Sequence, residues 1–394
     1  MALDERNLYM HLVTPMIRFI TLIYFTVFLF EVRAQEREIK VGLFRASVIK
    51  EISIELNEGS QLCLQSNLNI WGTKNHPIFQ LSAKDNKIEV YQNAQFLGLF
   101  KQIICQSGSG FSLNLKPIKP QLKGNKYSGK ITISAENGFL KMINKIQEAD
   151  YLSGVLRGEV GYDKSNSLYE VHAILSRTYA RFYKDRHRSE GFELCDQTHC
   201  QVFKGFNDYK PYNYAIEATK NTVVLDSLNG ELAELLFHSN CGGQTNASED
   251  VWKTTLTYCR SVYDTFCLKS QQAIWVKQFP LDVFCTKINV SLPSDSISKN
   301  SLCDAICSFS RNRPNEIYIG NKKFKMTDLR TQLNVKSAWF DWECNGETVY
   351  LSGKGFGHGV GMCQEGAIRM SELGFSPSQI IKHYYRNVII SKIP

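Results

Sequence analysis

Residues 151–200 read YLSGVLRGEVGYDKSNSLYEVHAILSRTYARFYKDRHRSEGFELCDQTHC. One acid, Glu159, stands between Gly158 and Val160-Gly161, which reads as a glycine-flanked turn that allows backbone turning or close approach. Burial among its apolar neighbours would raise its pKa and suit it to proton donation, while Arg157 aimed at it would act the other way. The alternative is an exposed loop glutamate. Apolar residues then recur at Leu168, Val171, Ile174, Leu175, Tyr179 and Phe182, a spacing of three and four that predicts a helix over 168–183 packed on one face. Arg177 and Arg181 fall on its more polar side. The stretch closes on His187, Cys195, His199 and Cys200, four soft or borderline donors. Together they would close a structural zinc site; without His187 one position would stay open. The competing assignment is disulfides for the cysteines and surface positions for the histidines.

Working outward, residues from Glu38 to about Pro120 form short alternating segments broken by glycine, asparagine and lysine, a β-rich pattern without grouped catalytic residue types. Strand-like segments continue over 123–150. The expected class is therefore α+β: a β-rich module at 35–122, then a mixed catalytic region at 123–394 with helices around sheet. Residues 260–345 read as an irregular, cysteine-bearing excursion within that region. Ahead of these, Ile17 to Phe30 is one apolar run, with Val32 and Ala34 as small residues before a cleavage point. This predicts a signal peptide over 1–34 and export to the periplasm or cell envelope. A run of fourteen residues is short for a membrane span, so an anchor follows only if the signal stays uncleaved.

The formal net charge of +8 comes from 46 basic and 38 acidic residues that are spread along the chain. No basic block with interleaved aromatics appears, which argues against nucleic acid and leaves an anionic wall or membrane surface as what the charge could favour. Twelve cysteines suit an exported protein. Cys303/Cys307, Cys259/Cys267 and Cys63/Cys105 are candidate pairs.

Downstream, a hairpin is expected around Asn229-Gly230. It leads into the polar loop Phe237-His238-Ser239-Asn240-Cys241-Gly242-Gly243-Gln244-Thr245, suited to a polyhydroxylated ligand. A hydrolase triad from His238 and Ser239 lacks both GxSxG and an orienting acid. Trp252 is either a sugar-stacking platform or a core residue. Gly353 to Gly361 alternates glycines around His358, with neither a Walker loop nor a dinucleotide fingerprint. Ala367–Leu373 reads as helical, and Ser376-Pro377-Ser378-Gln379 opens a last helix with a capping box.

Six segments, LRGEVG at 156–161, SRTYA at 176–180, CDQTHCQVF at 195–203, AIEATKNTVV at 215–224, HSNCGGQTNASEDVW at 238–252 and GFGHGVGMCQEGA at 355–367, closely resemble in their order the SpoIID/LytB family, named for the stage II sporulation protein D. The resemblance implies a lytic transglycosylase that cuts the MurNAc–GlcNAc bond of peptidoglycan glycan strands and leaves a 1,6-anhydro-MurNAc end. It places the catalytic glutamate at Glu159 and a zinc pair at His199-Cys200, completed by Cys195 and His187. Such a step needs one acid/base carboxylate and no cofactor, whereas hydrolytic glycosidases use two carboxylates. His238, Ser239, Gln244 and His358 would hold the sugar or organise the loops. Some relatives are amidase enhancers, so a non-cleaving glycan binder that works with a cell-wall amidase is the first alternative, and a metal-dependent wall hydrolase the second. The chain departs from the family pattern at Val160-Gly161, Cys241 and Cys363; the last two suggest a disulfide across the cleft.

Overall fold

The computed structural model describes residues 37–64, 68–108, 110–291, 302–304, 313–319, 322–345 and 347–393. The expected signal peptide and Cys307 lie outside the described residues. Among the described residues no helix is long and apolar enough to cross a membrane.

The alternating segments form two sheets. One has the strand order Leu194–Cys195, Glu38–Leu43, Phe139–Gln147, Lys130–Glu136, Gln102–Ser107, Ser60–Leu64, Leu68–Trp71. The other runs Asn125–Tyr127, Leu113–Lys119, Glu51–Leu56, Ile78–Lys84, Lys87–Gln92, Gln95–Phe100. Every second residue is buried, as in Ile52, Ile54 and Leu56 of one sheet and Ile131, Ile133 and Ala135 of the other, and these faces share one core. Strands on both sides of residue 122 thus belong to one sheet. The register pairs Leu62 with Cys105 and Cys63 with Ile104. Cys63 and Cys105 therefore sit on opposite faces, and the expected bridge between them does not form.

Eight helices are named here in chain order: α1 (Glu148–Glu159), α2 (Asn166–Phe182), α3 (Lys210–Ala218), α4 (Ser248–Val251), α5 (Leu281–Ile288), α6 (Met326–Leu333), α7 (Gln364–Glu372) and α8 (Pro377–Tyr384). The expected turn at Glu159 is the last residue of α1. Its glycines serve packing: a Cβ on Gly154 would lie 2.4 Å from the Phe203 ring, and one on Gly158 2.0 Å from Val202 O. Gly161, at φ 75°, then turns the chain out of the helix.

The expected helix forms as α2, with Ser165 Oγ accepting from Leu168 N–H as its cap. It is buried on more than one face. Tyr169, Ala173 and Ala180 join the sandwich core, while Leu168, Val171, Ile174 and Leu175 join a second core with Val360, Met362 and Tyr384. Arg177 is only 1% exposed, contrary to its expected polar-side position. Its Nε lies 3.1 Å from Glu148 Oε2, and Arg181 Nε lies 3.0 Å from Glu148 Oε1. The charge is tolerated because carboxylate and backbone oxygens surround it.

The described residues between 274 and 354 form regular elements, where an irregular excursion was expected over 260–345. A three-stranded antiparallel sheet, Ile274–Pro280, Thr348–Lys354 and Phe340–Cys344, packs with α5 and α6 around a third core that holds Trp275, Phe284 and Trp342. Cys303 is disulfide-bonded to Cys344, so the expected pairing with Cys307 does not hold. The final capping box forms at Ser376 and Gln379.

Candidate functional site

Segments far apart in sequence meet at one cavity of about 610 Å³, within the range of roughly 300–1,000 Å³ common for ligand sites. The end of α1 contributes Glu159 and the cysteine–histidine loop contributes Thr198, His199 and Cys200. The facing wall comes from two chain segments that pair in parallel, Phe237 with Met362 and His238 with Cys363. That pairing places His238, His358 and Gln364 on the wall.

Glu159 Oε1 accepts a 2.6 Å hydrogen bond from Val202 N–H. Burial pushes the carboxyl pKa up, and the Val202 bond and Lys204 offset part of that rise. Gln364 Nε2 donates to the Glu159 backbone carbonyl at 3.3 Å, which ties the facing wall to the end of α1. The cavity wall has a second carboxylate, Glu234, which accepts from the Tyr183 hydroxyl.

The two histidines differ. His358 Nε2 faces Phe237 O at 3.0 Å and its Nδ1 accepts from Val360 N–H at 3.1 Å, so backbone engages both ring nitrogens. His238 Nδ1 faces Val360 O at 3.0 Å, and its buried Nε2 has no partner. Burial lowers the His358 pKa to about 4, although its bond to Phe237 raises it. Burial, then His358, drive that of His238 well down. Both rings are therefore neutral at neutral pH. Trp252 is 41% exposed and its ring lies 5.0 Å from that of His358, a surface position on the wall. Ser239 and Gln244 do not line the cavity: Ser239 O accepts from Glu365 N–H, and Gln244 Nε2 donates to Ser261 Oγ at 2.9 Å.

The four donors expected for zinc converge. Ligand atoms of His187, Cys195, His199 and Cys200 lie within 4.8 Å of one another. His187 Nε2 is 3.4 Å from Cys200 Sγ, and His199 Nδ1 is 3.8 Å from Cys195 Sγ and 3.7 Å from Cys200 Sγ. The other nitrogen of His187 lies 2.6 Å from Glu190 Oε1, and Arg45 pairs with Glu190 at 3.0 Å. A carboxylate behind a histidine in this way orients the ring for a metal. The donor set fits a closed, structural zinc site. Two residues beyond Cys200 the chain presents Val202 N–H to Glu159.

Sequence reasoning passed over Gln364 and Glu234. Gln364 stood in the quoted glycine motif, but its contact with residue 159 spans 205 positions. Glu234 stood in an expected strand with no signal to set it apart. Cys241 and Cys363 are free thiols, as are Cys259 and Cys267, so neither expected pair is bridged.

The family described as "Stage II sporulation protein" matches residues 136–225, which span α1, α2 and the cysteine–histidine loop. The chain is 29% identical over 268 residues to Stage II sporulation protein D of Bacillus amyloliquefaciens, covering 64% of this chain and 76% of that protein. It is 27% identical over 294 residues to Stage II sporulation protein D of Bacillus subtilis, covering 70% and 83%. A further relative, the Amidase enhancer of Bacillus subtilis, is 26% identical over 287 residues, covering 59% of this chain and 39% of that protein. The residues that build one side of the cavity thus carry the match to the stage II sporulation protein family, over 136–225, and the wider chain is similar to stage II sporulation protein D of two Bacillus species.

Proposed function

We propose that this chain is exported to the cell envelope and acts there on the glycan strands of peptidoglycan. The cleaving form of this reading is a lytic transglycosylase. Glu159 protonates the oxygen that leaves between MurNAc and GlcNAc. The resulting carboxylate then accepts the proton of the MurNAc C6 hydroxyl as that oxygen closes onto C1. One bond breaks, one forms, no water is consumed, and the product ends in 1,6-anhydro-MurNAc. The observation that carries it is the position of Glu159: on the cavity wall, with its pKa raised by burial and one fixed donor on Oε1. His358 would organise the wall, and His238, with Nε2 unpartnered, is the better candidate for contact with a sugar hydroxyl. The cysteine–histidine cluster would hold zinc as a brace behind Val202 and supply no step of the reaction.

A second reading is favoured by a separate observation, the likeness to the Amidase enhancer, whose name states a role with another enzyme. In that reading the same cavity binds glycan without cutting it, and a cell-wall amidase is the partner.

Digestion of purified peptidoglycan, intact and stripped of stem peptides, with mass spectrometry of the products separates the two. Anhydro ends made by the chain and lost in Glu159→Gln support cleavage. Retention on the glycan with no product, and faster release of stem peptides when an amidase is added, support the enhancer reading. Reducing ends, or peptide products lost with a chelator, exclude both.

A further inference from the structure

A second group of donors stands behind the opposite wall, formed by segments far apart in sequence. Sγ of Cys241, Cys267 and Cys363 and a carboxylate oxygen of Asp264 all lie within 4.8 Å of one another, and all four residues are buried. Cys241 Sγ is 3.4 Å from Cys267 Sγ and 3.4 Å from Asp264 Oδ2. A zinc–sulfur distance of about 2.3 Å places tetrahedral ligands roughly 3.8 Å apart, so these spacings need little adjustment to share one ion.

Backbone amides point at the sulfurs. Cys363 caps α7, its Sγ accepting from Gly366 N–H at 3.4 Å, and it accepts from Cys241 N–H at 3.3 Å as well. A helix N-terminus and backbone amides stabilise a sulfur anion. The backbone amides of Gly242 and Gly243 lie against Cys267. Asp264 Oδ1 accepts from Phe266 N–H at 3.0 Å and Oδ2 from the Tyr384 hydroxyl at 2.9 Å, which orients the carboxylate toward the sulfurs. Gly366 leaves the necessary room, since a Cβ there would lie 2.3 Å from Asp264 Oδ2.

We propose that Cys241, Asp264, Cys267 and Cys363 bind a soft divalent cation, zinc by donor set and geometry, at a second closed site distinct from the cysteine–histidine cluster. The three thiols release their protons to solvent when the ion enters. A disulfide between Cys241 and Cys267 is the rival, but it would use two sulfurs and leave Cys363 and a buried carboxylate with no counter-charge. The cation takes all four. Its effect is to lock the parallel pairing of residues 237–238 with 362–363, and with it the spacing of His238 and Gln364.

Elemental analysis of the purified full-length chain tests this. The unaltered chain should carry one more zinc per molecule than the Cys241→Ser/Cys267→Ser/Cys363→Ser variant, and equal content overturns the proposal. A cobalt-loaded Cys195→Ser/Cys200→Ser chain, which keeps only the second cluster, should show thiolate-to-cobalt charge-transfer absorption; its absence overturns the proposal too. The unaltered chain gives a reading that needs no variant. Alkylated in denaturant with chelator and no reductant, it should carry label on Cys241, Cys267 and Cys363. A mapped disulfide among these three sinks the site.

Discussion

Replacing Glu159 with glutamine keeps an acceptor for Val202 N–H and removes the proton that the side chain can give. Glu159→Gln should therefore lower formation of anhydro ends by about 10²–10⁴-fold, read by mass spectrometry of digested glycan. Because burial raises the Glu159 pKa, its buried charge costs stability as pH rises through that pKa, so the variant should melt no lower than the parent at pH 7. In the cleaving reading, activity falls over the same rise, as the donor form is lost. Glu234→Gln discriminates further: a one-carboxylate transglycosylase keeps its anhydro products, whereas a two-carboxylate hydrolase loses turnover. Acid acts through another group, His172, which burial lowers to about 4. Its unfolded form takes up a proton below about 6.5, so the stability it contributes is present above that pH and lost toward pH 4, roughly 3 kcal/mol in full. His172→Phe should shrink the loss of urea midpoint between pH 7 and pH 4. At this scale residue type and motif order singled out Glu159, which lines the cavity, and His187, Cys195, His199 and Cys200, whose donor atoms converge. It could not divide the roles of His238 and His358, because backbone carbonyls from distant segments do that.

At the scale of elements, α2 was legible from its apolar period, while its envelopment by two cores was not. A 3.6-residue pattern marks the most apolar stripe, and a polar residue such as Arg177 can still be buried when Glu148 meets it. The helix α1 was misread as a turn, since Gly154 and Gly158 weaken helix propensity and resemble loop residues. Their purpose is visible only against residues 202–205. Gly158→Ala drives a Cβ into Val202 O, which must move α1 off the segment that serves Glu159. We expect a loss of about 1–3 kcal/mol in denaturant unfolding, together with weaker product formation. The same change at half-buried Gly138, where a Cβ meets nothing within 4 Å, is the control without a clash; its φ of 78° alone opposes the substitution.

At the scale of the whole molecule, three hydrophobic cores among the described residues divide the labour. The sandwich core backs α1, the second core backs the glycine-rich wall, and the third belongs to residues 275–351. Cysteine spacing did not reveal the bond from Cys303 to Cys344, which closes 41 positions, because a pairing is set by the third core and not by proximity in sequence. Cys303→Ser/Cys344→Ser should cost roughly 2–4 kcal/mol. Hydrogen exchange should localise the loosening to residues 274–354, with the sandwich strands unchanged. The β-rich character of residues 38–120 was legible from alternation. Their sheet order was not, since Leu194–Cys195 joins an edge from 153 positions away.

The parallel pairing of residues 237–238 with 362–363 also has a consequence in time. A growing chain that has reached residue 350 already contains Glu159, yet it lacks Gln364 and the segment that completes the opposite wall. Contacts of such long range form late. The cavity is therefore absent during most of synthesis, and the chain acquires its cleft among the last steps of folding.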